Sequence, residues 1–372
     1  MVPQTPHAPH GSQKSPTEHT PSGLQDTPMG GHALKHTPTH RLTADAYHAL
    51  TDRVLRTLRT VEGARVEVIR SYAAKPDFGD MDVLVDRTSV PADLAGMVTT
   101  LFAPNELVRN GPVISFDVEA FQVDLICVPS TEFATSRDYF AYNDLGNLMG
   151  RTAHRMGFTY GHNGLRYKLR EGNFLVADLQ VTADMASAFA FMGYDHARFE
   201  KGFQRREDLF VFAASSPYFT PSAYALEARG HRNRVRDRKR ENYQRFLAWL
   251  DAEQVPTGAV AHMANEEHLS RAEHLFPAFA QALQATREDL LKARHRKTIF
   301  NGERVATLTG LEGKALGLLL RRLRDDYPGG PVAFNAYLDA LDPDQTGTLE
   351  HYIHEVADRL SPNTPCTPPS YC

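Results

Sequence analysis

Three aspartates in strand-like segments are the clearest candidates for a catalytic or metal-binding role in this sequence. Asp80 and Asp82 precede the apolar residues 83–85, and Asp124 interrupts the apolar segment of residues 121–128. Side chains two positions apart project from the same face of a strand, so we expect Asp80 and Asp82 to lie together. Adjacent carboxylates repel unless a proton or a cation neutralises them, and Mg²⁺ prefers carboxylate and phosphate oxygens. The spacing therefore predicts a magnesium site.

Asp124 strengthens this interpretation, because a single charge in an apolar strand is expensive without a partner. If its strand lies beside that of Asp80 and Asp82, the three carboxylates can hold two Mg²⁺ ions, for which Mn²⁺ can substitute. Two ions would activate an attacking 3′-hydroxyl and stabilise a leaving pyrophosphate. The alternative is an ordinary Asp-x-Asp pair on a solvated strand edge, which is a common pattern.

The apolar pattern predicts the elements that must position these aspartates. A helix capped by Thr43 is expected to end at Gly63. Segments of strand-like composition lie at residues 64–69, 81–86 and 121–128. Helical segments lie at residues 93–102 and 135–156. Residues 157–181 are expected to form a small sheet with a hairpin turn at Asn163-Gly164.

The remainder of the chain is predicted to be mostly helical. Helical patterns occur at residues 186–212, 240–250, 266–284, 312–326 and 348–359. The Pro-rich segments at the two ends, residues 1–40 and 361–372, are expected to be disordered, because they can bury too little apolar surface. We therefore predict an α+β protein, with a mixed-sheet domain at residues 41–181 and a helical domain at residues 182–360.

The overall composition sets limits on location and partners. The formal net charge of −4 provides no global basic field, so any nucleic-acid surface must be local. Only three cysteines occur, which argues against a disulfide scaffold and favours a reducing compartment. No apolar run approaches the roughly 20 residues needed to span a bilayer. A cytoplasmic protein without a membrane partner is expected, and its oligomeric state stays open.

The three aspartates resemble the catalytic motifs of the DNA polymerase β (family X) branch of the nucleotidyltransferases. Gly79-Asp80-Met81-Asp82 and Val123-Asp124-Leu125-Ile126 match that family's pattern, and residues 139–147 resemble its sugar- and base-contacting motif. The resemblance covers about residues 66–169. It implies a palm and thumb-like domain, a nucleoside triphosphate substrate and a DNA primer–template or an RNA 3′ end as acceptor.

The resemblance also implies roles for individual residues. Asp80 and Asp82 would hold both metals, and Asp124 would hold the catalytic ion. The nucleotide would be contacted by Ser71, Arg70, Lys75, Gly79, Tyr139, Phe140, Asp144 and Asn147. Arg151 would approach the template, since Asp144, Asn147 and Arg151 share one helix face at spacings of i, i+3 and i+7.

The sequence departs from the family pattern in the phosphate-contacting loop. Arg70 replaces the glycine expected before Ser71, and Ala73 and Ala74 occupy positions where arginines usually follow. Lys75 is then the nearest cation. The segment before residue 64 supplies one helix, so the lyase activity of repair polymerases is not expected. A catalytically degenerate scaffold that binds nucleic acid is a further alternative.

A local basic segment provides the expected nucleic-acid surface. Its cations are Arg232, Arg234, Arg236, Arg238, Lys239 and Arg240. Clustered guanidinium groups suit a phosphate backbone and give salt-dependent binding. The alternative is a solvated basic helix that packs on acidic neighbours.

A second, weaker resemblance concerns residues 300–305 and 308–320. These segments are similar to a helical element that follows the catalytic domains of CCA-adding tRNA nucleotidyltransferases. An RNA or tRNA 3′ end therefore remains an alternative acceptor.

Overall fold

The computed structural model describes residues 33–228 and 230–360, without the side chains of residues 228, 232 and 233. The described chain is a mixed α+β protein with a small mixed sheet and a helical C-terminal region. It forms two compact units. The first contains the residues up to Tyr167 together with Thr182–His268, and the second contains Lys168–Val181 and the residues from Leu269 onward.

The central sheet belongs to the first unit. The elements up to its last strand are β1 (Leu42–Thr43), α1 (Ala44–Leu58), β2 (Val66–Val68), β3 (Asp77–Phe78), β4 (Asp80–Asp86), α2 (Leu94–Phe102), β5 (Leu107–Asn110), β6 (Val113–Val118) and β7 (Phe121–Val128). Five strands run in the order β2-β4-β7-β6-β5. β4 is parallel to β7, and the other neighbours in this sheet are antiparallel.

Apolar side chains of β4 and β7 pack in one core with the helices α1 and α2. Val83 and Val123 are fully buried there, with Leu50 and Val54 from α1 and Val98 from α2. Strands buried on both faces carry long apolar runs, which accounts for the composition of β4 and β7. This packing makes the two central strands a rigid base for Asp80, Asp82 and Asp124.

Further elements follow the sheet, and all but β9 and β10 lie wholly in the first unit. They are α3 (Phe133–Phe140), α4 (Leu145–Arg155), β8 (Thr159–Gly161), β9 (Gly164–Glu171), β10 (Phe174–Thr182), α5 (Met185–Met192), α6 (His196–Lys201), α7 (Arg206–Ala213), α8 (His231–Arg238) and α9 (Glu241–Ala252). β9 and β10 contain residues of both units. Short 3₁₀ turns connect several elements, among them Pro221–Tyr224.

The second unit is helical apart from the segment Lys168–Val181. Its helices are α10 (Asn265–Leu275), which begins in the first unit, α11 (Pro277–Ile299), α12 (Gly302–Thr309), α13 (Gly313–Asp325), α14 (Gly330–Ala340) and α15 (Gly347–Leu360). Their buried apolar residues, including Leu319, Phe334 and Ile353, form a separate core. The unit therefore has its own packing interior.

Several predicted elements have different bounds in the structure. α1 ends at Leu58, before Gly63, and Thr43 occupies the N-cap position without a side-chain hydrogen bond. The stretch predicted as helical at residues 135–156 is interrupted, because Tyr142 and Asn143 both have a φ of 60°. The stretch predicted at residues 266–284 divides at Pro277, which begins α11.

Two larger features differ from the predictions, and a third prediction falls mostly outside the described residues. β5 and β6 were not expected, because Asp117 and the Asn110-Gly111-Pro112 turn obscure the apolar alternation. Residues 182–268 belong to the unit that contains the sheet, whereas the predicted boundary lay at residue 182. The predicted arm and tail lie outside the described residues, except for residues 33–40.

Residues 33–40 are held in place rather than disordered. Backbone N–H groups of Lys35, His36 and Thr37 donate to the Glu106 carboxylate at 2.9, 2.8 and 2.8 Å. These hydrogen bonds lower the pKa of Glu106 to about 2. Composition alone could not reveal this anchoring, because the acceptor lies about 70 residues away in the chain.

Within residues 33–228 and 230–360, none of the helices combines the length and the apolar character required to cross a bilayer.

The close packing of α3 against α4 depends on Gly146. A Cβ atom at this position would lie 2.2 Å from the carbonyl oxygen of Tyr139. We expect Gly146→Ala to lower the free energy of unfolding by about 1–3 kcal/mol, the usual cost of overpacking. Urea denaturation monitored by circular dichroism measures this change.

Gly150 provides the matched control on the same helix. A Cβ atom there would meet the carbonyl oxygen of Tyr160 at 3.5 Å, an ordinary contact. Gly150→Ala should therefore be neutral or stabilise the protein by up to about 1 kcal/mol through helix propensity. Equal destabilisation by both substitutions would contradict the proposed contact between Gly146 and Tyr139.

Candidate active site

The parallel pairing of β4 and β7 brings together the three predicted aspartates. Asp82 lies opposite Asp124 in this register, and Asp80 lies opposite Gln122. One carboxylate oxygen from each of Asp80, Asp82 and Asp124 can be chosen so that all three lie within 4.8 Å of one another. Three carboxylates at this separation form a donor set suited to divalent metal ions.

Hydrogen bonds from neighbouring strand residues orient Asp124. The amide nitrogen of Gln122 donates to both Asp124 oxygens at 3.0 Å, and the Ser115 side chain forms a further hydrogen bond. The amide oxygen of the fully buried Gln122 accepts the backbone N–H of Ala33 at 3.0 Å. The segment before β1 therefore contributes indirectly to the position of an acidic residue in the site.

Burial and mutual repulsion raise the pKa values of two of these acids. The pKa of Asp124 rises to about 6 because burial and the charge of Asp80 outweigh the hydrogen bonds from Ser115 and Gln122. Burial also raises the pKa of Asp82 well above its ordinary value, and Asp80 and Asp124 add to this effect. Bound Mg²⁺ would relieve the repulsion, so the residues present fit the predicted cofactor.

Asp80 and Asp82 line a cleft of about 560 Å³ in the first unit, whereas the buried Asp124 is not part of its lining. This volume is within the range of small-molecule binding sites. Its lining includes the predicted residues Asp80, Asp82, Ser71, Arg70, Lys75, Gly79, Phe140 and Asp144. Sequence reasoning missed a further group of polar and charged residues in this lining, namely Arg41, Arg206, Glu241, Asn242 and Arg245. No local motif marks these residues, because they reach the cleft only through the tertiary fold.

Lys75 lies close to the acidic residues and is mostly surrounded by protein. Its ammonium nitrogen is 4.3 Å from the centre of the Phe78 ring. Burial lowers the pKa of Lys75, although the charges of Asp80 and Asp82 oppose this shift. Gly79 also lines the cleft, and a Cβ atom there would be 2.7 Å from a terminal nitrogen of Arg41.

Arg70 is engaged by acidic residues outside the cleft. Its guanidinium group contacts Asp138 at 3.2 Å and Glu200 at 3.1 Å. Arg137 also pairs with Asp138, at 2.8 Å, and His196 is 3.2 Å from the same carboxylate. Asp138, His196 and Glu200 lie close enough to hold a metal ion. The two arginines already balance the two acids, however, so we regard this cluster as an ion-pair network that positions Arg70.

The predicted residues of α3 and α4 have protein partners as well. Tyr139 packs against Phe140 and Tyr160, with centroid distances of 5.4 Å in both pairs. The Asp144 carboxylate accepts hydrogen bonds from Asn147 at 3.3 Å and from Arg240 at 3.1 Å.

Arg151 donates to the carbonyl oxygen of Ala223 at 3.2 and 2.8 Å. Its guanidinium group therefore helps to hold the turn Pro221–Tyr224 against α4.

The predicted basic segment corresponds mainly to α8. Arg238 and Lys239 are exposed, and Arg234 is half-buried. Arg236 contacts the buried Asp237 at 3.5 Å, and the side chain of Arg232 lies outside the described part of the chain. Two cations of this segment, Arg236 and Arg240, are thus paired with protein acids, whereas Arg238 and Lys239 face solvent.

No protein-family model and no curated protein matches this chain.

The repulsion among the aspartates should make stability depend on pH and on metal. An acid whose folded-state pKa is raised favours the folded state below its unfolded pKa, and this contribution is lost as the pH rises through the folded value. In EDTA, Asp124 should therefore cost stability between about pH 4 and pH 6, by at most about 3 kcal/mol. Asp124→Asn should reduce this loss, as measured by urea denaturation across that range.

Millimolar Mg²⁺ at pH 7.5 should raise the melting temperature of the wild type and have little effect on Asp124→Asn. Glu119→Gln is the matched control, because Glu119 is an exposed acid that pairs with Arg53 outside the cleft. It should retain the wild-type response to both pH and Mg²⁺. If Asp124→Asn showed the same response as this control, the predicted metal site would be wrong.

Proposed function

We propose that this chain is a Mg²⁺-dependent nucleotidyltransferase of the DNA polymerase β type. It transfers a nucleoside monophosphate from a nucleoside triphosphate to the 3′-hydroxyl of a nucleic acid. The five-stranded sheet with α1 and α2 is the palm in this proposal. The observation that carries the proposal is the convergence of Asp80, Asp82 and Asp124 on adjacent parallel strands.

The chain's own residues would position the reactants. Asp80 and Asp82 would bind both ions, and Asp124 would bind the one nearer the attacking hydroxyl. Bound Mg²⁺ supplies activation of the hydroxyl and stabilisation of the departing pyrophosphate. Gln122 and Ser115 hold the Asp124 carboxylate in its orientation. Such fixed positioning matters because phosphoryl transfer depends chiefly on alignment and electrostatic stabilisation.

The partners of α4 favour a second candidate for the acceptor. A template contact by Arg151 would compete with its two hydrogen bonds to Ala223. Asp144, the residue expected over the incoming base, is likewise bound by Arg240. The engagement of Arg151 favours transfer without a template, as in the addition of nucleotides to an RNA or tRNA 3′ end, over the primer–template reaction.

Asp124→Asn should abolish most of the activity while the protein stays folded. We expect at least about a hundredfold lower rate of incorporation, the scale seen when an electrostatic group is removed from a reacting centre. Labelled dNTPs and NTPs are offered with Mg²⁺ and three acceptors: a DNA primer–template, single-stranded RNA and tRNA. Glu119→Gln is again the control and should retain the wild-type rate.

The acceptor panel separates the alternatives. Incorporation directed by the templating base would support the polymerase reaction, whereas addition to RNA or tRNA alone would support template-free transfer. Nucleic-acid binding without any incorporation would indicate a degenerate scaffold, an alternative supported by Arg70, Ala73 and Ala74 in the phosphate loop. Full activity of Asp124→Asn would refute the proposed mechanism.

The exposed cations at the C-terminal end of α8, Arg238 and the C-cap residue Lys239, should contribute to nucleic-acid binding. We expect the double substitution Arg238→Glu and Lys239→Glu to weaken binding and to reduce the slope of log affinity against log salt by about 1–2. Fluorescence anisotropy at several salt concentrations measures both quantities. Arg240 is left unchanged because it pairs with Asp144.

A matched charge reversal on α1 controls for net charge. Arg56 of α1 and Arg59, the residue that caps its C-terminus, are both exposed, so Arg56→Glu with Arg59→Glu changes the total charge by the same amount. This control should bind with nearly wild-type affinity and slope. Equal weakening by both pairs would show that overall charge, rather than α8, determines binding.

A further inference from the structure

Arg206 is a cation of the cleft that no sequence motif identifies. It is the first residue of α7 and lines the same cleft as Asp80 and Asp82. Its guanidinium group donates to the Tyr72 hydroxyl at 3.3 Å and lies 6.0 Å from the centre of that ring. The buried Nε atom of Arg206 has no hydrogen-bond acceptor among the described residues. A strong donor therefore remains unused beside the cleft.

The Glu241 carboxylate satisfies Arg206 only weakly. Glu241 lies 3.9 Å from a terminal nitrogen of Arg206, and it is already held by Arg245 at 2.7 Å. The Glu241 side chain is 72% exposed, and exposed ion pairs contribute little to stability. Two guanidinium groups thus share one solvated carboxylate, which leaves net positive charge on this wall of the cleft.

Backbone pairing places Arg206 beside the phosphate-contacting loop. The N–H groups of Ala73 and Ala74 donate to the carbonyl oxygens of Phe203 and Gln204 at 2.9 and 2.8 Å. The segment that leads into α7 is thereby fixed next to the loop that follows Ser71. Ala73 and Ala74 replace the arginines expected in this loop. The backbone hydrogen bonds of the same two residues hold Arg206 of α7 close to the loop.

We propose that Arg206, together with Lys75 and Arg245, binds the polyphosphate group of the nucleotide substrate. A planar guanidinium fork matches the spacing of phosphate oxygens and forms charge-assisted hydrogen bonds with them. The polyphosphate takes the place of the exposed Glu241 carboxylate at Arg206 and Arg245. The naming of a nucleoside triphosphate as ligand rests on the function proposed above; the preference for a polyphosphate anion rests on the cleft itself.

The test measures binding of Mg²⁺-tripolyphosphate to the full chain by isothermal titration calorimetry. Arg206→Ala should bind roughly ten- to a hundredfold more weakly, the scale expected for lost charge-assisted hydrogen bonds. Arg206→Lys should be intermediate, since it keeps the charge and loses the fork. Binding of AMP, which has a single phosphate, should change less than about threefold in either variant.

Arg205→Ala is the matched control. Arg205 is the neighbouring residue, its side chain is 70% exposed, and it pairs with Asp208 outside the cleft lining. This variant should bind tripolyphosphate as the wild type does. Thermal melting establishes that each variant is folded, and Arg206→Lys decides the question if Arg206→Ala does not fold.

Wild-type affinity in folded Arg206→Ala would overturn the proposal, as would wild-type affinity in Arg206→Lys if the alanine variant fails to fold. Absence of tripolyphosphate binding in the wild type would also overturn it. The binding proposal and the proposed transferase function can fail separately, because tripolyphosphate binding is measured without any nucleotide transfer. Tripolyphosphate binding that depends on Arg206, without nucleotide incorporation on any acceptor, would exclude the transferase reaction and leave this binding site in place.

Discussion

The convergence of three carboxylates on two neighbouring parallel strands is the constraint on which the rest of this site depends. The register that sets Asp82 opposite Asp124 forces like charges together. Hydrogen bonds from Gln122 and Ser115 stabilise the Asp124 carboxylate and offset part of the effect of burial and repulsion, yet the pKa of Asp124 remains raised. The sheet can hold this repulsion because Met81, Val83, Val123 and Leu125 of the same strands are fully buried. A site of this kind stores unfavourable charge that a divalent cation would relieve.

Local patterns predicted the features that depend on a few neighbouring residues. The period of two in a strand places Asp80 and Asp82 on one face, and the apolar run of residues 121–128 predicts the bounds of β7 correctly. The parallel pairing of β4 with β7 is a non-local property. From the sequence, this pairing could only be assumed, because the residue spacing within one strand does not indicate which other strand will lie beside it.

Features that depend on tertiary contacts were also not predicted, because the residues that form these contacts are distant in the sequence. The helical pattern of residues 135–156 shows no signal for the left-handed turn at Tyr142 and Asn143. That turn is instead held by a backbone hydrogen bond from Tyr142 to the Arg70 carbonyl at 2.6 Å. β6, which supplies Ser115, was hidden by its polar residues. Residues 33–40 looked disordered because their anchor, Glu106, is distant in sequence.

The cations show why residue type alone does not assign a phosphate site. Arg70 lies in the phosphate-contacting loop, yet Asp138 and Glu200 neutralise it. Arg240 belongs to the basic segment, yet it binds Asp144. Arg206 has no motif, and the Glu241 carboxylate 3.9 Å from it is exposed and shared with Arg245. Because desolvated ion pairs are costly to break and exposed pairs are not, availability for a ligand follows from the partners of each cation. Those partners are supplied by the fold, so the charge missing from the loop at Ala73 and Ala74 can be restored from a helix more than a hundred residues away.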